Sequence, residues 1–135
     1  IKTEVVVPEG APVSDMGWEI YPKGLYDLLV WIKNYYGNPP VYITENGMAL
    51  KDELIDGEVN DPVRIKYLQD HIEQSLMAKE KGCDLKGYFV WSLMDNFEWA
   101  YGYTKRFGII YVDYKSLKRT PKKSYYWIKE MLEKR

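Results

Sequence analysis

The chain has one cysteine, one histidine and no long apolar run, and each scarcity removes a class of protein. A lone Cys83 cannot close an intrachain disulfide, so a disulfide-stapled scaffold is excluded. That usage is compatible with a reducing compartment, and a cytoplasmic setting is the expectation. Cys83 stands between Gly82 and Asp84 with no basic neighbour, and reads as an inert filler at a helix-to-strand corner. His71 has no second His or Cys at ligand spacing, so no metal site is expected. It reads instead as a hydrogen-bonded residue inside a helix. No stretch approaches the ~18 apolar residues of a membrane span, so no membrane partner is expected. Charge of one sign is also missing: 19 basic residues face 20 acidic ones. A net charge of −1 leaves no electrostatic footprint for nucleic acid. The Lys-rich segment Lys115 to Lys123 reads as a solvated face. No glycine-rich phosphate loop is present, and nothing in the chain implies a cofactor.

What is abundant is aromatic: 13 Tyr and 5 Trp, suited to a packed core or to stacking on sugar faces. The segment 1–16 carries Pro8, Gly10 and Pro12 without periodicity and reads as a lead-in loop. Glu19 then reads either as negative charge complementing a helix start at Pro22 or as a structural residue at the rim of the fold. Leu25, Leu28, Leu29, Ile32 and Tyr36 recur at helical spacing up to Gly37. Val41 to Ile43 predicts a short buried strand, and Met48 to Asn60 a polar connection turning at Asp56-Gly57. Asp61-Pro62 predicts an N-cap and first turn, followed by an apolar face of Ile65, Leu68, Ile72 and Leu76. A second strand is expected around Tyr88–Trp91, an aromatic loop between Asp95 and Tyr103, and a short hairpin over Phe107–Asp113. Thr120-Pro121 should open a last helix with Trp127, Ile128, Met131 and Leu132 as its stripe. Strands alternating with amphipathic helices imply parallel βαβ units, in a doubly wound sheet or a barrel segment.

Chemistry concentrates at the two strand ends. In parallel α/β folds these ends face the ligand side. Glu45 sits where the first apolar run stops, in Val41-Tyr42-Ile43-Thr44-Glu45-Asn46-Gly47. A carboxylate there is costly to desolvate, so it either reaches solvent or has a role. The second run, Lys86 to Leu93, continues into Met94-Asp95-Asn96-Phe97-Glu98-Trp99. Together, Ile-Thr-Glu-Asn-Gly at 43–47 and Trp-Ser-Leu-Met-Asp-Asn-Phe-Glu-Trp at 91–99 closely resemble the signatures of the family 1 glycoside hydrolases. The resemblance runs on through Arg106-Phe107-Gly108-Ile109 and Arg119 to Ser124, and back to Gly17–Pro22.

That resemblance implies an α/β chain forming the C-terminal segment of a (β/α)8 TIM barrel, with its last two strands and three helices. A closed barrel needs ~250 residues. The whole chain, 1–135, is therefore expected to be a single partial domain, in keeping with its start at Ile1 rather than Met. It implies a retaining β-glycosidase similar to β-glucosidase, acting on terminal non-reducing β-D-glycosides by double displacement. Such enzymes use two carboxyl groups ~5–5.5 Å apart. Glu45 matches the family's nucleophile. Trp91 matches its sugar-stacking platform, although a core tryptophan is the alternative. Glu98 and Trp99 match the pair that binds the sugar's outer hydroxyls, and Phe107 lines the same pocket more weakly. The acid/base motif Thr-x-Asn-Glu-Pro is absent, so the N-terminal portion of the barrel is the implied partner and the isolated chain is expected to be inactive. Asp95 and Asn96 read as structural hydrogen-bonders. The competing readings are a sugar-binding module on Trp91, Glu98 and Trp99, and a fragment that self-associates through strand edges.

Overall fold

The computed structural model describes residues 6–134, so the first five residues of the expected lead-in lie outside the described residues. Helix α1 spans Pro22–Tyr36, strand β1 Val41–Asn46, helix α2 Pro62–Glu80 and strand β2 Leu85–Val90. A single 3₁₀ turn, Trp99–Tyr101, precedes strands β3 (Ile110–Val112) and β4 (Arg119–Pro121), and helix α3 (Lys123–Glu133) closes the chain. The result is an α/β segment: β1 and β2 pair in parallel with α2 as the crossover between them.

α1 starts on Pro22, whose fixed φ suits the first helical turn, and stops where Gly37 adopts the left-handed conformation at φ 74°. The next residue ties the two helix-to-strand corners together. Asn38 donates from Nδ2 to the Gly82 carbonyl (3.0 Å), and its Oδ1 accepts from the Asp84 N–H (3.0 Å). One face of the sheet, through Val41, Ile43 and Leu85, packs on Leu25, Tyr26, Leu29 and Val30 of α1 and Ala78 of α2. Cys83 fills this core at the corner, as its surroundings in the sequence suggest. The opposite face of the sheet is bare: Tyr42 is 58% exposed and Phe89 56%.

Several expectations are corrected. α2 buries Arg64, Leu68, His71, Ser75 and Ala78, whereas Ile65 and Ile72 are half-buried and Leu76 is exposed. Polar partners, not apolar content, decide this face. Asp61 occupies the N-cap position of α2 but makes no capping bond there. Its carboxylate instead accepts from the Ser124 N–H (2.9 Å) and hydroxyl (2.6 Å), in the first turn of α3. Thr120-Pro121 lies in β4, not in the helix. A residue before proline is biased to extended backbone, and the Lys122 N–H continues the pairing to the Ile109 carbonyl (2.9 Å). The hairpin is accordingly β3–β4, with Ile110 opposite Pro121, and Phe107 precedes it. Glu19 bridges to Val13 in an antiparallel pair, and no acidic residue stands in the first turn of α1.

The Lys115–Lys123 segment is not uniformly solvated either, because Lys122 is 0% exposed. Its Nζ bonds Asp52 Oδ2 (2.6 Å) and Asp95 Oδ1 (2.8 Å). Arg64 joins Asp52 (2.8 Å) and Asp61, and Arg106 joins Asp95 (2.6 Å). Three carboxylates thus face three cations in one buried network. It ties the 47–60 connection to α2, the 91–108 loop and the start of α3. The "polar connection" is therefore held from within, with Met48, Ala49 and Val59 all buried.

Candidate active site

Because β1 and β2 run parallel, their C-terminal ends lie on the same side. Glu45 is at one end and Trp91 follows the other. The ladder pairs Ile43 with Tyr88 and then Asn46 with Val90. Three steps along β1 match two along β2, so Thr44–Glu45 sits in a bulge, the irregularity that re-aims a strand-end side chain. Pairing resumes where the Trp91 N–H donates to the Asn46 carbonyl (2.9 Å). The two strands then press together: a Cβ on Gly47 would lie 1.6 Å from the Trp91 carbonyl oxygen, so only glycine fits there.

Beyond Trp91 the peptide to Ser92 is cis. The chain then runs alongside 107–110, with Ser92 N–H to Phe107 O (3.3 Å) and Ile109 N–H to Ser92 O (2.9 Å). This puts Phe107, 3% exposed, beneath the strand ends and 6.0 Å from the Trp18 ring. Glu98 and Trp99 arrive on a tight turn closed by Glu98 N–H to Gly102 O (2.7 Å) and Tyr101 N–H to Glu98 O (2.8 Å). Trp99 has a positive φ of 40° and is 85% exposed, a ring standing at the rim. Asp95 supports the loop from below, accepting from the Gly108 N–H (3.0 Å) and the Val112 N–H (3.3 Å) besides its two cations.

The outcome is one open cleft of ≈ 340 Å³. Glu45, Trp91, Glu98, Trp99 and Phe107 all line it, so the five residues singled out from the sequence are brought together. Trp18 and Tyr67 line it as well and went unrecognised. Tyr67 lies two turns into the helix that follows β1, and the N-terminal end of such a helix shares the ligand side with the strand end. Burial pushes the Tyr67 phenol up, partly offset by Asn46. His71 is buried beneath Tyr67, stacked at 3.9 Å, with Nδ1 against the Tyr67 carbonyl (2.7 Å). A carbonyl only accepts, so Nδ1 carries the proton. Chemically the cleft offers a carboxylate at the strand end, flat apolar ring surface and a second carboxylate near the rim. Among the described residues no three His, Cys, Asp or Glu side chains group as a metal site.

Comparison with known proteins decides the family. The glycosyl hydrolase family 1 model matches residues 2–135. The chain belongs to glycosyl hydrolase family 1. It is 52% identical over 121 residues to β-glucosidase A of Acetivibrio thermocellus, covering 89% of this chain and 27% of that protein. It is 53% identical over 121 residues to a 6-phospho-β-galactosidase of Clostridium acetobutylicum, covering 89% of this chain and 26% of that one. The β-glucosidase of Thermotoga maritima, solved with a methoxycarbonyl-substituted glucoimidazole, superposes at a TM-score of 0.91 and 53% identity. That match covers 94% of this chain and 29% of the other. The chain thus spans well under a third of the length of these relatives. Overall identity does not separate free-sugar from phospho-sugar relatives.

Proposed function

We propose that this chain supplies the nucleophile and part of the sugar subsite of a retaining β-glycosidase, and that the rest of the barrel supplies the acid/base. One observation carries this reading: the strand-end carboxylate of Glu45 lines the same cleft as Trp91, Glu98, Trp99 and Phe107. The Glu45 carboxylate attacks the anomeric carbon as the glycosidic C–O bond breaks, giving a glycosyl ester and an aglycone that takes a proton from the partner's acid. Water, deprotonated by that same group, then cleaves the ester. Trp91 offers its ring face to the apolar C–H face of the pyranose. Glu98 accepts from outer hydroxyls and the Trp99 indole N–H donates to one.

The need for a partner follows from the fold. β1 and β2 form a two-stranded sheet, each with one unpaired edge among the described residues, and the bare face carries Tyr42 and Phe89. Such edges and faces are covered when the barrel closes. Lack of general acid help alone costs ~10²–10⁴ in rate. A binding module, the competing reading, has no use for a carboxylate under the anomeric carbon.

The test uses a 2-deoxy-2-fluoro β-glucoside on the assembled enzyme. A peptide containing Glu45 should carry the label, and Glu45→Gln should abolish aryl β-glucoside turnover. Labelling elsewhere, or an active Glu45→Gln enzyme, overturns the assignment. Robust turnover by residues 1–135 alone overturns the need for a partner.

A further inference from the structure

Glu45 occupies a place where the backbone ladder does not hold it. The bulge leaves Thr44–Glu45 between the Ile43–Tyr88 and Asn46–Val90 pairs. A bulge leaves its extra residue out of the ladder, so the aim of that side chain rests on what holds the residues on either side. The fixing contact is a side-chain one. The Tyr88 hydroxyl donates to Asn46 Oδ1 at 2.6 Å, reaching from the pre-bulge pair to the post-bulge residue. Asn46 is thereby held through Oδ1 by Tyr88 and, at its carbonyl, by the Trp91 N–H, and its side chain also meets the Tyr67 phenol.

Tyr88 is suited to this. Burial, with the neighbouring Tyr67, pushes its phenol well above the usual range, so it stays a donor throughout the working pH. The amide oxygen of Asn46 can only accept, so the polarity of the bond is fixed. The phenol is half-buried, and Tyr88 is not among the residues that line the cleft. Gly47 locks the far side by its close approach to the Trp91 carbonyl.

We infer that Tyr88 is a positioning residue: its bond to Asn46 spans the bulge and sets the aim of the Glu45 carboxylate at the anomeric carbon. This rests on the reading of Glu45 as nucleophile. Its signature is a loss in the covalent step without a loss in sugar binding. Losing the phenol leaves every cleft side chain in place but frees the bulge. A misplacement of about an ångström in a reacting group costs up to ~10²-fold in rate.

The experiment is the labelling of the assembled enzyme by the same 2-deoxy-2-fluoro β-glucoside, resolved into a reversible dissociation constant and a first-order labelling rate. Tyr88→Phe should slow labelling by about ten- to a hundredfold, with the dissociation constant within about twofold. Asn46→Ala, which also removes a cleft-lining side chain and its contact with Tyr67, should slow labelling at least as much, and adding Tyr88→Phe to it should slow labelling no further, because the bond between Tyr88 and Asn46 is already gone. A merely structural role predicts unchanged labelling in the folded fraction, or parallel changes in rate and binding. Either result overturns the inference, as do multiplicative effects in the double variant. If Asn46→Ala does not fold, the split measured for Tyr88→Phe decides alone. Wild-type labelling away from Glu45 overturns the nucleophile assignment and this inference together. Labelling at Glu45 with a wild-type rate in Tyr88→Phe overturns this inference alone.

Discussion

Replacing Asp95 by Asn should destabilise the fold by about 3–5 kcal/mol, far more than its modest change in shape suggests. The Asp95 carboxylate is fully buried and accepts from Arg106 (2.6 Å), Lys122 (2.8 Å), Gly108 N–H (3.0 Å) and Val112 N–H (3.3 Å). An amide keeps one acceptor oxygen but turns an N–H₂ toward donors, leaving at least one of them without a partner. It also breaks the charge balance. Asp52, Asp61 and Asp95 face Arg64, Arg106 and Lys122, so the variant strands one buried cation. Lys122→Met strands one anion instead, although Asp52 keeps Arg64 and Asp95 keeps Arg106, so its cost falls near ~3 kcal/mol. Combining the two restores neutrality. The double variant should then cost at least ~1 kcal/mol less than the sum of the singles. Chemical denaturation of the assembled protein measures all four corners, with free energies compared at one denaturant concentration. Additive costs, or an Asp95→Asn variant within ~0.5 kcal/mol of wild type, would refute the view of the cluster as one charge-balanced unit.

Gly47→Ala places a methyl group 1.6 Å from the Trp91 carbonyl oxygen, so the strand ends must separate. Turnover in the assembled enzyme should fall by ~10² or more, and a variant within tenfold of wild type would show that the backbone yields. Burial pushes the His71 imidazole down, partly offset by the Tyr67 carbonyl and Asp70. Its folded value lies below the unfolded one, so on acidification the unfolded chain takes the proton first. The His71 contribution is present above about pH 6.5 and is lost as pH falls through the folded value. The melting temperature should therefore drop more from pH 7 to 5 in wild type than in His71→Gln, and equal drops would contradict this. On the proposed placement of Glu98 at the outer hydroxyls, a 6-phosphate on the sugar would meet its carboxylate in a partly desolvated cleft, which is repulsive. Free aryl β-glycosides should therefore turn over faster than their 6-phospho forms, and the reverse order in paired kinetics would count against Glu98 at that position.

Much of the cleft was legible because strand periodicity and parallel pairing are local facts with a global consequence. Glu45 and Trp91 each end an apolar run, and parallel pairing brings both ends to one side. Glu98, Trp99 and Phe107 were legible only through motif resemblance, since a loop carries no period. Trp18 and Tyr67 escaped for different reasons. The segment before α1 gives no periodic signal, and a single tyrosine in an amphipathic helix looks like core. The bulge at Thr44–Glu45 was invisible because it depends on the register of two strands far apart in the sequence, not on either strand.

The buried ionic network shows where composition misleads. Lys122 sits in a run of lysines and arginines that looks solvated, and only the folded chain shows its Nζ between Asp52 and Asp95. Yet α2 held a clue. Arg64, Leu68, His71, Ser75 and Ala78 repeat at four- and three-residue steps, the spacing of one helix face. A polar residue at such spacing needs a partner when buried. Arg64 finds Asp52 and Asp61, His71 the Tyr67 carbonyl, and Ser75 the His71 carbonyl (2.7 Å). Choosing the stripe by hydrophobicity selected Leu68, which is buried, but also Ile65, Ile72 and Leu76, which the described chain leaves half-buried or exposed. Ile72 and Leu76 line a groove with Met131 and Leu132. The network accordingly locks the 47–60 connection and the 91–108 loop to α2 and α3, and these are the segments that follow Glu45 and carry Trp91, Glu98, Trp99 and Phe107. Its cost in desolvation is borne at the base of the cleft, where holding two loops in register matters to the chemistry above.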